Sequence, residues 1–302
     1  MSGESTYADW IAVDWGTSNM RAWALRDGAI VAEGRSDKGM GALAPEEFEA
    51  ALLDVIEPWL GQNRIPLVAC GMVGAKQGWC EAPYAAVPCP PVDQGAVRPE
   101  VKDPRIDVAI LPGLSQSDPA DVMRGEETQI AGYLAKESDF DGVLCLPGTH
   151  TKWVQISAGE VVSFRTFMTG ELFALISKQS VLRHSVGSGW DAEAFAGAVA
   201  DAMARPEALA NRFFSLRAEG LLAGLGTEAA TARLSGLLIG AELAAARPYW
   251  LGQKIVLIGA PKLSEHYRAA LELQGLNADT AGATETTLAG LTAAYARLKE
   301  RP

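Results

Sequence analysis

The sequence predicts an α/β protein built as two similar halves with a cleft between them. Three observations carry this. A chain of 302 residues is longer than one simple core holds, which points to two domains. Each half opens with three strand-like runs and then a helix. Buried strands and helices alternate through the rest of the chain. The expected domains are 1–138 and 139–302, with the last helix free to pack back on the first.

The first half begins with strands at 10–15 (WIAVDW), 20–26 (MRAWALR) and 29–35 (AIVAEGR). Gly16 to Asn19 separate the first two, and Asp27-Gly28 the next two. Asp-Gly between two strands is a two-residue hairpin signal. A helix is expected over 45–60: Pro45 starts it, Glu46 and Glu47 fill its first turn, and Phe48, Leu52, Leu53, Ile56 and Leu60 share a face. A buried strand, 66–70, follows. Residues 71–107 are dense in Gly and Pro and read as a long functional loop. A strand at 107–111 ends in PGLSQ, and 124–137 reads as a helix.

The pattern restarts near residue 141. Strands are expected at 142–147, 152–157 and 160–168, the last two separated by Ala158-Gly159, and a helix at 170–182. Residues 190–247 read as helical throughout, 254–259 as a buried strand, and 263–274 and 284–299 as helices.

Hydrophobic content of 48% with 21% charged residues is that of an ordered globular protein. The formal charge of −11 disfavours a general nucleic-acid binder, which needs a basic face. It leaves a small anionic substrate open, because a local group of cations can oppose the global sign. Cys70, Cys80, Cys89 and Cys145 form no CxxC pair, and the three histidines have no ligand spacing to them, so zinc is not expected. The opening MSGESTYADW lacks a basic segment followed by an apolar core, and no apolar stretch reaches membrane-spanning length. A cytoplasmic location without membrane or nucleic-acid partners is the expectation, with oligomeric state open.

Within IAVDWGTSNMRAW, Asp14 ends a buried strand, Gly16 lets backbone approach a ligand, and Thr17, Ser18 and Asn19 offer donors. Phosphoryl transfer needs such parts: a carboxylate for Mg²⁺ or its waters, and donors for phosphate oxygens. A hairpin in which Asp14 bonds its own turn fits the isolated motif equally well. LPGTHTKW supplies a second small-polar turn, with Gly148, Thr149, His150, Thr151 and Lys152. Two such turns, each opening a strand triplet, suggest a clamp on a nucleoside triphosphate.

MRGEETQ sets Arg124, Glu126 and Glu127 at a helix start, where acids also serve the helix dipole. As a functional site it offers a general base for an acceptor hydroxyl. Adjacent helical residues diverge by about 100°, so at most one of the two acids faces a cleft. In IVLIGAPKLSEHY, Gly259 and Ala260 leave space for a flat ring, or form an ordinary strand-to-helix turn. In SGLLIGAEL, Gly236 and Gly240 permit either close helix packing or room for adenine. No GxxxxGK[ST] and no GxSxG occurs. GMGALA at 39–44 fits a dinucleotide fingerprint, but the following strand ends in Ala69-Cys70-Gly71 without the ribose-binding acid.

The order of these pieces resembles the sugar-kinase, hexokinase and actin-like ATPase superfamily, which implies two ribonuclease-H-like domains. More closely, IAVDWGTSNMRAW, GMVGAKQGW with EAPY, MRGEETQ, PGTHTKWV, FRTFMTGEL and SGLLIGAE together resemble the 2-dehydro-3-deoxygalactonokinase family over residues 11 to 243. The resemblance implies ATP- and Mg²⁺-dependent phosphorylation of 2-dehydro-3-deoxy-D-galactonate on its 6-hydroxyl. It implies that Asp14 orients Mg²⁺ and that Gly16, Thr17, Ser18 and Asn19 hold phosphates. Gly148, Thr149, His150, Thr151 and Lys152 would form the second phosphate turn, and Gly236, Gly259 and Ala260 would hold adenosine. The superfamily commonly opens its second turn with Asp, whereas this chain has Pro147, so metal binding should rest on the first half. Glu126 stands where the superfamily's Asp base is found.

A sugar acid needs a cation for its carboxylate, and Arg21, Arg124, Lys76 and Arg165 are available. Gly71, Gly74, Trp79 and Tyr84 belong to a loop expected to cover the sugar and exclude water. The competing readings are a kinase for another sugar or sugar acid, a non-catalytic sugar or nucleotide sensor on the same fold, and a dinucleotide-dependent oxidoreductase using the 39–44 turn.

Overall fold

The computed structural model describes residues 7–92 and 95–300. The expectation of no leader rests partly on residues 1–6, which lie outside the described residues. The chain divides into two compact units. The first runs to Phe140 and includes Ala158–Val162 and the segment from Ala283 onward; the second holds Asp141–Ser157 and Ser163–Gly282.

In the first unit, β1 (Trp10–Trp15), β2 (Met20–Arg26) and β3 (Ala29–Ser36) form the expected triplet. β1 and β2 are antiparallel, with Asp14 opposite Arg21. Asp27 and Gly28 both take positive φ, 52° and 77°, as a tight two-residue hairpin requires. Alternation along β1 divides its side chains between two layers. Ile11, Val13 and Trp15 join the core under α1 (Phe48–Ile56). Trp10 and Ala12 join a second core with Leu291 and Ala294 of the C-terminal helix, where Trp10 stacks on Tyr295 at 4.3 Å. The helix expected over 45–60 is shorter, flanked by 3-10 turns at Pro45–Glu47 and Glu57–Trp59. Pro58 has no N–H to continue the helical ladder, which accounts for its end.

β4 (Ile65–Gly71) pairs parallel with β1 and sets Cys70 opposite Asp14. The segment read as a long loop contains β5 (Tyr84–Ala86). After β6 (Ile106–Ile110), the stretch read as a strand end in PGLSQ is itself β7 (Gly113–Ser117), followed by β8 (Ala120–Met123). The main sheet has the order β3-β2-β1-β4-β6, and a small sheet has the order β5-β7-β8. Short strands broken by Gly and Pro carry too little alternation to be read as strands. α2 (Glu126–Leu134) crosses the C-terminal helix backbone to backbone: a Cβ on Gly132 would stand 1.8 Å from the Thr286 carbonyl oxygen.

The second unit repeats the plan. β9 (Gly142–Leu146), β10 (Thr151–Ser157) and β11 (Glu160–Phe167) lead to α3 (Thr169–Gln179). α4 (Ala192–Ala204), α5 (Leu209–Leu222), α6 (Thr227–Ala245) and the short α7 (Arg247–Trp250) follow. β12 (Ile255–Gly259), α8 (Pro261–Glu272) and the unexpected β13 (Asp279–Gly282) complete it. The C-terminal helix, α9 (Ala283–Glu300), belongs to the first unit. The sheet order β11-β10-β9-β12-β13 matches that of the first unit position by position. Val143, Cys145, Trp153 and Leu257 pack against Val199, Ile239, Leu243 and Tyr267 from the helices. No helix among the described residues is long and apolar enough to cross a membrane.

Candidate active site

In the first unit, the turn at Gly16 to Asn19 closes on itself, the Gly16 amide donating to the Asn19 carbonyl over 2.9 Å. Thr17, Ser18 and Asn19 are exposed. The GMGALA segment braces this turn from behind and forms no dinucleotide loop. Met40 donates to Gly16 O over 3.0 Å and Gly41 to Thr17 O over 2.9 Å. A Cβ on Gly39 would stand 2.3 Å from the Ser18 carbonyl carbon, so only glycine allows this approach.

Asp14 is half-buried at the end of β1. Its Oδ2 accepts from Arg21 Nη2 over 2.6 Å, and Arg21 Nη1 donates to Thr284 Oγ1 over 2.8 Å. Both residues stand on the α9 face of the sheet, because β1 alternates and the antiparallel register sets them opposite each other. Gly71 takes φ 92°, and a Cβ there would meet Trp15 O at 2.7 Å and Asp14 Oδ1 at 3.6 Å. Gly125, at φ 107°, approaches from the other side, its notional Cβ 3.3 Å from Gly71 Cα. These two glycines bring the start of α2 up to the carboxylate end of β1.

Glu126 and Glu127 diverge as the helix geometry requires. Glu126 is half-buried, and its Oε2 accepts from the Arg124 amide over 3.1 Å. Glu127 is fully buried, with both carboxyl oxygens on the Gly125 amide at 2.9 and 2.7 Å. Burial, with the Glu126 charge adding to it, pushes the Glu127 carboxyl up to about 8.

Arg124 is buried, donates Nη2 to Ala82 O over 2.7 Å, and lies 4.2 Å from the Tyr84 ring centroid. Its Nε and Nη1 have no hydrogen-bond partner among the described residues. Gly74 abuts Nη1, where a Cβ would stand 3.0 Å away. Trp79 departs from expectation. It is partly buried and packs on the core against Phe48 and Trp15, at centroid distances of 6.3 and 6.4 Å. An aromatic in a Gly-rich segment has no periodicity to mark it as core.

The second turn is braced in the same manner. Glu171 donates its amide to Thr149 O over 2.9 Å, and a Cβ on Gly170 would stand 2.2 Å from Gly148 O. His150 Nε2 pairs with Glu171 Oε2 at 2.6 Å. Gly148, Thr149 and Ala260 line a cavity of about 650 Å³ in this unit. Its apolar walls include Leu238, Ile239 and Leu263, and Trp190 stacks on His266 at its edge, 3.8 Å between centroids. Burial and the nearby Lys262 charge lower the His266 pKa.

Besides His150, four residues of this unit assigned to the nucleotide are not among those lining this cavity. Thr151 is buried, with its hydroxyl on Tyr267 at 2.8 Å. Lys152 is buried on β10 and donates to Thr166 over 2.9 Å. Gly236 faces α4, where a Cβ would stand 2.6 Å from Phe195 O, so helix packing accounts for it and the adjacent Ser235 lines the cavity. Gly259 sits against Ser264 and Pro147, whose Oγ and carbonyl oxygen would lie 3.0 and 3.3 Å from a Cβ. Sequence reasoning missed Trp190, Thr169 and His266 in the lining. The GSGW run at 187–190 was the signal available for the first.

Two units of matching strand order, each opening on a glycine-bearing turn at the end of its first strand, define the actin-like ATPase fold. The chain belongs to the 2-keto-3-deoxy-galactonokinase family, whose model matches residues 14–294. It is 41% identical to a Rhizobium meliloti (strain 1021) protein, DgoK1, named for 2-dehydro-3-deoxygalactonokinase activity, over 96% of this chain and 97% of that one. It is 35% identical to the Escherichia coli (strain K12) 2-dehydro-3-deoxygalactonokinase, over 94% and 96%. A Sinorhizobium meliloti crystal structure described by the same activity superposes with a TM-score of 0.87 at 40% identity, covering 96% of each chain. The fold alone extends to a 2-hydroxyisocaproyl-CoA dehydratase activator from Clostridium difficile with bound ADPNP, at a TM-score of 0.51, 10% identity and 97% coverage of each chain.

Proposed function

We propose that this chain transfers the γ-phosphoryl group of ATP to the 6-hydroxyl of 2-dehydro-3-deoxy-D-galactonate. The names carried by its family and by relatives at 41% and 35% identity support this substrate. The observation that carries the chemistry is the first-unit cluster: a half-buried Asp14 beside an exposed small-polar turn, with the start of α2 brought up to it across Gly71 and Gly125.

Asp14 suits Mg²⁺, which takes one or two protein carboxylates and completes its shell with water and substrate phosphates. Among the described residues no group of three or more acids, histidines or cysteines gathers as an all-protein metal cage, which agrees with a metal held largely by the nucleotide. When bound, Mg·ATP supplies the transferable phosphoryl group with its charge partly neutralised. Gly16 to Asn19 offer donors for phosphate oxygens, and the second-unit cavity suits a purine between apolar walls. Glu126, the less buried of the two acids, takes the proton from the acceptor hydroxyl, while Glu127 holds the start of α2. Arg124 meets the substrate carboxylate, for it alone of the candidate cations is buried with two guanidinium donors left over. This activity belongs with a cytoplasmic location.

An ADP-release assay with ATP, Mg²⁺ and the keto-deoxy acid tests the reading. Turnover with this acid should exceed that with its gluconate-derived stereoisomer and with neutral aldoses. No ADP above background with any of these acceptors would sink the proposal in favour of a sugar or nucleotide sensor.

A further inference from the structure

We infer that Glu242 is a positioning residue for nucleotide binding: its carboxylate shapes the second-unit cavity by fixing Thr169 and Tyr267, two of the side chains that line it. The inference rests on reading that cavity as the nucleotide site. Glu242 lies on α6 and is 3% exposed. Its Oε1 accepts from the Trp153 indole over 2.7 Å. Its Oε2 accepts from the Tyr267 hydroxyl over 2.7 Å and from the Thr169 hydroxyl. Tyr267 in turn meets Thr151 Oγ1 at 2.8 Å.

One carboxylate thus joins β10, α3, α6 and α8. Two of these joints bear on the second turn. Thr151 is the first residue of β10, immediately after the turn. Thr169 is the first residue of α3, adjacent to the Gly170 that presses on Gly148. The third, Tyr267, stands in the wall beside His266. Moving the carboxylate therefore moves both the phosphate-facing turn and the wall beside it.

Packing alone does not call for an acid here. Burial pushes the Glu242 carboxyl up to about 7 against the hydrogen bonds from Thr169, Trp153 and Tyr267 that lower it. A well-packed apolar side chain in such a place is often as stable or more so. What the carboxylate adds is convergence of donors from separate elements on one point, which specifies geometry. Burial raises the neighbouring Cys145 thiol and Tyr267 phenol well above their ordinary values, so Tyr267 keeps the proton that it donates to Glu242.

Glu242→Gln and Tyr267→Phe separate this role from general stability. Glutamine presents an amide donor toward hydroxyls that now donate to the carboxylate. ATP binding is measured by calorimetry without the sugar acid, and KM for each substrate is measured in turnover. Glu242→Gln should weaken ATP binding about tenfold, and Tyr267→Phe about threefold, with KM for the sugar acid changed less than about twofold. If Glu242→Gln does not fold, Tyr267→Phe, which keeps the ring, carries the same comparison. Variants that bind ATP like the wild type overturn the inference. Equal weakening toward ATP and sugar acid also overturns it, since that is a general structural loss. A wild-type chain that binds no ATP sinks the nucleotide reading itself, and the inference with it.

Discussion

Glu171 donates its backbone amide to the Thr149 carbonyl over 2.9 Å, seating the first turn of α3 on the second small-polar turn. Gly41 does the same for Thr17 in the first unit, also over 2.9 Å. Each contact depends on a glycine beside it, Gly170 or Gly39, whose notional Cβ would lie 2.2 or 2.3 Å from turn backbone. Gly170→Ala and Gly39→Ala should each cost about 1–3 kcal/mol in urea denaturation, the range for overpacking, and lower kcat/KM by more than Gly197→Ala does. Gly197, on α4 with nothing within 4 Å of its Cβ position, should accept alanine with a gain of up to about 1 kcal/mol from helix propensity.

Asp14→Asn keeps the side chain's shape but removes its charge from Arg21 and from any metal at the site. Its kcat should fall by about a hundredfold or more, as for loss of an electrostatic group acting on the transferred phosphoryl. The melting temperature should move little, because a half-exposed ion pair contributes at most about 1 kcal/mol. Near-wild-type kcat in a folded variant would refute the role.

Glu126→Gln and Glu127→Gln should part company. Loss of a general base costs about a hundredfold or more in kcat, expected for Glu126→Gln with KM for ATP nearly unchanged. Glu127→Gln should retain kcat within several-fold. Its effect belongs to stability and pH. Both Glu127 and Glu242 have folded pKa values, about 8 and about 7, above the ordinary 4.5. Between those values the folded chain holds protons that the unfolded chain releases. Their contribution is therefore full below about pH 4.5 and is lost as pH rises through 7 and 8. Unfolding free energy measured across this window should decline in the wild type and decline less in Glu127→Gln.

Arg124→Lys tests the carboxylate anchor. Lysine keeps the charge but loses the planar donor set and the stacking on Tyr84. KM for the sugar acid should rise about tenfold, the loss expected for a charge-assisted hydrogen bond, while KM for ATP stays within about twofold. An equal rise in both would assign Arg124 to folding.

Legibility in the sequence followed periodicity and turn chemistry. β1 and β2 read to the residue because alternation and the Asp27-Gly28 hairpin bound them, and Ala158-Gly159 served likewise between β10 and β11. In the small sheet, β5 stayed hidden because its partner β7 lies 30 or so residues on in a Gly- and Pro-rich stretch, and the β7-β8 hairpin because its strands are too short to show an alternation. At the site, small-polar turns at strand ends were visible as motifs, as was the Glu126-Glu127 pair. Side-chain direction was not. Thr151 and Lys152 read as part of the turn, but they are adjacent residues of β10 that point to opposite faces, and both faces are covered there. Gly236 looked like a ligand contact because a glycine kept for helix packing and one kept for a ring are the same letter.

The first unit is closed by α9, which covers Trp10 and reaches Asp14 through Thr284 and Arg21. On a ribosome, its sheet emerges more than a hundred residues before this helix exists. The Trp10 face must wait uncovered while the whole second unit is synthesised. A nascent chain released before residue 283 would carry both small-polar turns and yet lack the α9 side of the core around Trp10, leaving apolar surface open to chaperones and proteases.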